Sequence, residues 1–262
     1  MRDKRLARTF FNTDADAYDR SRSRYPDEVY TLLAEHGLTA GARVLEIGPG
    51  TGQATAELLS RGSCVTAVEL GDALADKLEN LLGGSRLRVL RGEFETVDIP
   101  ADDFDLAVSA TAFHWVDPTV GVPKLAALLR TGAVFAPWWM VFGDPERPTP
   151  FRRAMDRVIA EHLPERVRDP RLISHSLDRT ARVAELENGA RFEVIDVREI
   201  RWEHTYSAQQ ACLLHGTYSG MSEVTPEQRQ AFLDALARCV REEFDNAATD
   251  AFVTAVYVAR RL

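Results

Sequence analysis

The chain has 262 residues, 45% of them hydrophobic, which suffices for a full core in one elaborated domain rather than two. Its formal net charge of −8 withholds the basic footprint that displaces counterions from phosphate backbones, so nucleic acid is not the expected partner. Three scattered cysteines (Cys64, Cys212 and Cys239), a basic N-terminus without an apolar stretch and no bilayer-length apolar run argue against disulfides, a paired-thiol metal site, a secretory leader and a membrane span, so a cytoplasmic protein is expected.

The predicted elements alternate in period. A polar N-terminal segment leads into a helix over residues 26–36, opened by Pro26 in the first turn and stopped by Gly37. Residues 43–47 form a short apolar run that reads as a buried strand. A helix over 51–61 ends at Gly62, and a second strand spans 64–69. A helix over 72–82, a third strand over 87–90, a fourth over 104–110, a helix over 118–129 and a fifth strand over 133–140 follow. Strands alternating with helices predict right-handed βαβ units. The fold class is therefore α/β: a Rossmann-like, doubly wound, mostly parallel sheet with helices on both faces.

Beyond Phe142 the alternation stops. Residues 151–163 and 177–188 carry amphipathic helical patterns, 192–205 is extended, and a helix over 207–218 follows. Thr225-Pro226-Glu227-Gln228 is a helix start with Thr as N-cap, Pro in the first turn and Gln at the third position, and that helix runs to Phe244. Residues 251–259 close the chain as a seventh strand. The expected organisation is a single domain over 1–262. It has an N-terminal cap segment (1–40), a ligand-binding core (41–141), a helical insertion after strand 5 (142–191) over the sheet's carboxyl edge, and strands and helices that complete the sheet (192–262).

The loop after the first strand carries the chemistry. Glu46-Ile47-Gly48-Pro49-Gly50-Thr51-Gly52 joins strand to helix, where glycines allow a tight turn and close approach of a ligand to the backbone. About twenty residues on, Glu69 ends the second strand, where an acid accepts both hydroxyls of a ribose. The pattern points to a ligand that contains adenosine. The dinucleotide fingerprint wants its third small residue at position 53, which here is Gln53, and the carboxylate of Glu46 would repel a pyrophosphate but not an ammonium or a sulfonium.

Val44 to Gly52, VLEIGPGTG, resembles the first motif of class I S-adenosylmethionine-dependent methyltransferases. Glu69 and Gly92-Glu93-Phe94 fall in register with that family's later motifs. FDLAVSATAFHWVDP at 104–118 is similar to the fourth-strand motif of its small-molecule branch, the methyltransferase type 11 and trans-aconitate methyltransferase-like enzymes. YDRSRSRYP at 18–26 resembles the segment that closes over the cofactor in that branch. The resemblance covers residues 10–140 and is general architecture beyond them.

The resemblance implies S-adenosylmethionine as cofactor, with S-adenosylhomocysteine as product. It also implies methyl transfer by in-line displacement to a small-molecule acceptor, a metabolite or natural product. Glu46 and the backbone of Gly48, Pro49, Gly50 and Gly52 would surround the methionine part, and Glu69 would hold the ribose. Leu70 would lie against adenine. Glu93 would accept from the adenine amino group, with Phe94 giving a backbone donor or an edge contact. Ala110 and Thr111 would meet the ammonium through their carbonyls, and Tyr18 and Tyr25 would cap the cofactor. The family more often has Asp-Ala where this chain has Glu93-Phe94, which reshapes the adenine pocket.

His114 and Trp115 lie just past the fourth strand, where ligands bind in open α/β sheets. Histidine suits a general base near neutral pH, so His114 is the candidate catalytic residue; the other reading is a structural hydrogen bond to a loop or the cofactor. Trp115, Trp138 and Trp139 join it as candidate acceptor-site residues. The adjacent tryptophans point to opposite faces of their strand, at most one towards the acceptor and the other under the insertion helices, and each taken singly reads first as a core residue. Arg147, Arg152 and Arg153 read as the solvated face of a helix; the other reading is a set of cations for an acceptor carboxylate. No histidine pair has metal-ligand spacing, so no metal site is expected. Two other readings stand beside the methyltransferase: a nicotinamide-dependent oxidoreductase, and a non-catalytic module that binds S-adenosylmethionine. No nucleic acid or membrane partner is expected, and monomer and homodimer both stand.

Overall fold

Glycines in the left-handed region end or turn the early elements where the sequence places them. The computed structural model describes residues 15–100, 103–167, 173–218, 221 and 223–262, with the side chains of 15, 17 and 18 outside the described set. Helix α1 is Ala15–Ser21, and α2 is Asp27–Glu35, entered from Pro26 and stopped before Gly37 at φ 111°. Strand β1 (Arg43–Ile47), α3 (Gln53–Ser60), β2 (Cys64–Glu69), α4 (Asp72–Leu82) and β3 (Leu87–Arg91) follow in strict alternation. Then come β4 (Phe104–Ala110), one 3-10 turn (Phe113–Trp115), α5 (Pro118–Leu128) and β5 (Leu129–Phe142). The α-helices and strands that follow among the described residues are α6 (Pro150–His162), α7 (Arg179–Leu186), β6 (Phe192–Tyr206), α8 (Ala208–Gly216), α9 (Pro226–Glu243) and β7 (Ala248–Arg261), with 3-10 turns at Pro164–Arg166 and His175–Leu177.

The seven strands form one sheet in the order β3-β2-β1-β4-β5-β7-β6. The β1–β2, β2–β3, β1–β4 and β4–β5 pairs are parallel, and the sheet is mostly parallel with one antiparallel hairpin. The chain builds outward from β1 to β3 and then crosses back to β4. The order therefore reverses between β1 and β4, which opens a crevice at their carboxyl ends. A buried bond from Ser109 Oγ to the carbonyl of Ile47, 2.9 Å, ties the two strands beside that crevice.

Because side chains alternate along a strand, the same strands feed two apolar layers. Val44, Leu106, Val108, Val134, Ala136 and Trp138 join Val29, Leu32 and Leu33 of α2 on one face. Leu45, Ile47, Phe104, Ala107, Phe135 and Trp139 join Phe113, Val122, Leu125 and Tyr257 on the other. Both β1 and β4 are buried on both faces, which is why they read as nearly continuous apolar runs. Each large side chain so buried contributes about 1.5–3 kcal/mol against conformational entropy.

By contact density the chain divides into two units. One holds Ser23–Met140, His175–Ile200 and Thr254–Leu262. The other holds the described residues up to Arg22, with Val141–Ser174 and Arg201–Val253. In this second unit α9 packs on α6 and α8. Arg152, read from the sequence as part of a solvated face, is instead paired with buried Asp250, whereas Arg147 and Arg153 are exposed. Buried Asp144 is paired with Arg201 at 3.1 Å. His215 is buried beside these charges; burial first, then Arg152 and Arg22, push its pKa down to about 3, so it is neutral.

The start of α9 is the predicted one: the Thr225 side chain accepts from the Gln228 N–H, and the Gln228 side chain accepts from the Thr225 N–H. Thr225→Ala removes the first bond and loosens the second. It is expected to cost about 1 kcal/mol, read as a lower denaturation midpoint with unchanged slope. An unchanged midpoint would mean that tertiary packing alone fixes this helix end.

Candidate functional site

The carboxyl ends of β1, β2 and β4 converge at the crevice, and all the site residues described here belong to the first unit. Gly48, Gly50 and Gly52 have φ of 68°, 60° and 98°, a left-handed run that other residues reach only with strain. Space demands glycine as well. A Cβ on Gly48 would stand 2.5 Å from the Ala112 Cβ, and one on Gly52 would stand 2.6 Å from Leu78 Cδ1. Pro49 between them is buried. Gly52 is also the N-cap of α3, so the first N–H groups of that helix open towards the loop.

Two carboxylates lie under this loop. Glu69 is buried, and its two oxygens accept from the Gly50 and Gly71 N–H groups, each at 2.9 Å. Burial lifts its pKa above the usual carboxylate range, against the pull of those N–H donors. Leu70, next in the chain, is half-buried. Glu46 is fully buried; one oxygen accepts from Thr55 Oγ at 2.7 Å and the other, Oε1, has no partner. Burial pushes Glu46 up to about 7, with the Thr55 bond lowering it and the charge of Glu69 adding to the rise. The Tyr30 hydroxyl and the Trp138 indole N–H are likewise buried without a partner, and their rings meet edge-on at 6.3 Å.

At the end of β4 the chain strains. Thr111 sits at φ 56°, rare for a β-branched residue and costing about 1–3 kcal/mol. Three hydrogen bonds hold it there. Its N–H donates to the Trp138 carbonyl at 2.7 Å, its hydroxyl accepts from the Met140 N–H at 3.3 Å, and it shares a bond with the Tyr25 hydroxyl at 3.1 Å. The turn carries Ala110 and Thr111 round to Ala112, the residue that abuts Gly48. Tyr25 also packs edge-on to Trp138 at 5.5 Å.

The 3-10 turn presents His114 and Trp115, both half-buried, with ring centroids 4.7 Å apart. His114 Nδ1 accepts from the Trp139 indole N–H at 3.0 Å. His175 lies near both, its ring 6.3 Å from His114 and 6.0 Å from Trp139. Trp138 and Trp139 face opposite layers, with Trp138 packed edge-on to Tyr25 and Tyr30 and Trp139 to His175 and Tyr257.

The structure therefore gathers Tyr25, Glu46, Gly48, Pro49, Gly50, Gly52, Glu69, Ala110 and Thr111 around one crevice, with His114 and Trp115 on the turn beyond β4 and Trp139 of β5 bonded to His114. Glu93 follows β3 and is half-buried. The Phe94 ring is committed to the apolar layer, where Lys124 lies 5.4 Å over it, so only its backbone is left for the edge. The side chain of Tyr18 lies outside the described residues. Sequence reasoning missed Thr55 and Gly71, which reach the site by hydrogen bonds to Glu46 and Glu69, and Ala112 and Tyr30, which reach it by packing, because none of these contacts leaves a pattern in the sequence. Among the described residues Glu35, His36 and Asp196 come within metal-binding reach of one another, but Arg198 pairs with both acids at 3.0 Å and makes them an ion-pair network. A hollow of about 130 Å³ lined by Arg43, Cys64, Leu87 and Phe104 lies at the amino ends of the strands, opposite the glycine loop, and is no part of this site.

Residues 45–136 match the family model described as a methyltransferase domain. An uncharacterised methyltransferase of Mycobacterium tuberculosis is 34% identical over 129 residues, 49% of this chain and 51% of that protein. The chain thus spans about half the length of that relative. An uncharacterised methyltransferase of a Geobacillus species is 32% identical over 163 residues, 58% of this chain and 72% of that protein. Among solved structures, a proposed type II methyltransferase from Anaeromyxobacter dehalogenans superposes with a TM-score of 0.66 at 21% identity, covering 91% of this chain and 97% of that one. That likeness is one of fold. No helix among the described residues is long and apolar enough to cross a membrane.

Proposed function

The chain belongs to the methyltransferase family, and from that premise we propose that it transfers a methyl group from S-adenosylmethionine to a small-molecule acceptor. The observation that carries this reading is Glu46, whose Oε1 is buried and unpartnered beneath a loop of three left-handed glycines. A buried carboxylate oxygen without a donor is costly, and a cofactor with an ammonium supplies the missing donor. A dinucleotide would instead bring a pyrophosphate towards the same carboxylate.

The remaining roles follow from position. Glu69, already oriented by the Gly50 and Gly71 N–H groups, keeps acceptor capacity for ribose hydroxyls. The glycine loop lets the cofactor approach the backbone, and Ala110 and the strained Thr111 end β4, where their carbonyls would meet its ammonium. Leu70 and the backbone around Glu93 and Phe94 border the adenine side, and Tyr25 covers the crevice near Thr111. The bound cofactor supplies an electrophilic methyl on sulfur. The protein's part is to hold the acceptor in line with it, and positioning of that kind supplies much of the rate. His114, Trp115 and Trp139 stand where the acceptor would be held. The acidity of the chain, −8 overall, favours a small acceptor over nucleic acid.

Calorimetric titration tests the reading. S-adenosylhomocysteine is expected to bind in the micromolar range, with NAD and NADP showing no saturable heat. Saturable binding of NADP with none of S-adenosylhomocysteine would replace this reading with an oxidoreductase.

A further inference from the structure

An indole N–H can only donate a hydrogen bond. The Trp139 N–H lies 3.0 Å from His114 Nδ1, so Nδ1 carries a lone pair and the single proton of the neutral ring sits on Nε2. The donor is held in place. Trp139 is 3% exposed and packs edge-on to Tyr257 at 5.9 Å, and the Tyr257 hydroxyl is fixed in turn to the Ser176 carbonyl at 2.9 Å. A proton on Nδ1, in the other neutral tautomer or in the cation, would set N–H against N–H and leave a buried indole donor without an acceptor.

We propose that Trp139 is a positioning residue that fixes His114 as an Nε2–H hydrogen-bond donor, and that the acceptor is therefore an anionic oxygen compound rather than one that needs the imidazole as a base. The tautomer half of this inference stands on geometry alone; the acceptor half rests on the methyl-transfer reading. With an anionic oxygen, the oxygen's electron pair forms the new bond to the methyl carbon while the bond to the leaving sulfur breaks. No proton has to be removed, and a donor at Nε2 orients the oxygen by hydrogen-bonding to it.

Two measurements test it. Nitrogen-15 NMR of the imidazoles in the whole protein is expected to show one tautomer for His114, protonated at Nε2. In Trp139→Phe a mixture of tautomers should appear. A proton on Nδ1 in the unaltered protein, or an unchanged signature in the Trp139→Phe variant, would overturn the positioning role. The second measurement uses 4-nitrophenolate as an anionic oxygen probe, with S-adenosylhomocysteine present. Its visible absorption should shift on binding to the unaltered protein and to His114→Gln, whose amide keeps a donor near Nε2. His114→Ala should bind at least tenfold more weakly. No shift with the unaltered protein, or equal affinity in all three proteins, would overturn the acceptor half. The NMR result needs no cofactor, so a fixed tautomer in a protein that fails to bind S-adenosylhomocysteine sinks the proposed function and spares the positioning role.

Discussion

Gly48→Ala is expected to destroy cofactor binding and to cost the fold several kcal/mol at once. At φ 68° the new residue is held left-handed, which costs about 1–2 kcal/mol. Its Cβ would also stand 2.5 Å from the Ala112 Cβ, and neither methyl can rotate away. The relief must come from backbone shift, adding about 1–3 kcal/mol of overpacking. That shift separates the glycine loop from the end of β4, the two walls of the crevice, and it pulls on the Gly48 N–H bond to the Val68 carbonyl, 2.9 Å. The affinity for S-adenosylhomocysteine should fall at least a hundredfold, with the denaturation midpoint lowered but a cooperative transition retained. The same stability loss with unchanged affinity would mean that the loop is a structural turn and that the cofactor sits elsewhere.

Much of this crevice was legible in the sequence because it is local. The glycine loop, its strand and Glu69 lie within a span of 27 residues, from Arg43 to Glu69, whose periods of two and 3.6 are clean. The capping box of α9 is equally local. The start of β5 was not legible. It begins at Leu129 rather than 133, because Arg130, Thr131 and Gly132 are exposed and break the apolar pattern. Nor was Thr111, since a β-branched residue in the left-handed region contradicts its own propensity and is imposed by Tyr25, Trp138 and Met140. The donor to His114 is 25 residues away, and the acid that pairs with Arg152 is 98 away. Periodicity shows which face a tryptophan takes, and it identified both faces here. It does not show what the face meets: the tyrosines on which Trp138 packs lie more than a hundred residues earlier.

Glu46→Gln should make the protein more stable and less able to bind its cofactor, and pH should reveal both. The carboxyl of Glu46 is raised from 4.5 to about 7 by burial. The folded state therefore holds this proton more tightly than the unfolded state does, and stability falls as pH rises from the unfolded value through the folded one. The loss attributable to this group is complete above about pH 8 and is on the order of 3 kcal/mol. Glutamine fills nearly the same volume, keeps an oxygen for the Thr55 hydroxyl and cannot ionise. At pH 4 the two proteins should unfold together, and at pH 8 the glutamine variant should be the more stable by about that amount. Cofactor affinity should move the other way. The ionised Oε1 has no partner in the protein and is the atom that meets the ammonium, so affinity in the unaltered protein should rise between pH 6 and 7.5. In the glutamine variant it should be at least tenfold weaker and nearly flat over that range. A variant that gains no stability at pH 8 would show that Glu46 is neutralised by a partner within the fold. A variant that gains stability but loses no affinity would move the ammonium away from β1, towards the carbonyls of Ala110 and Thr111.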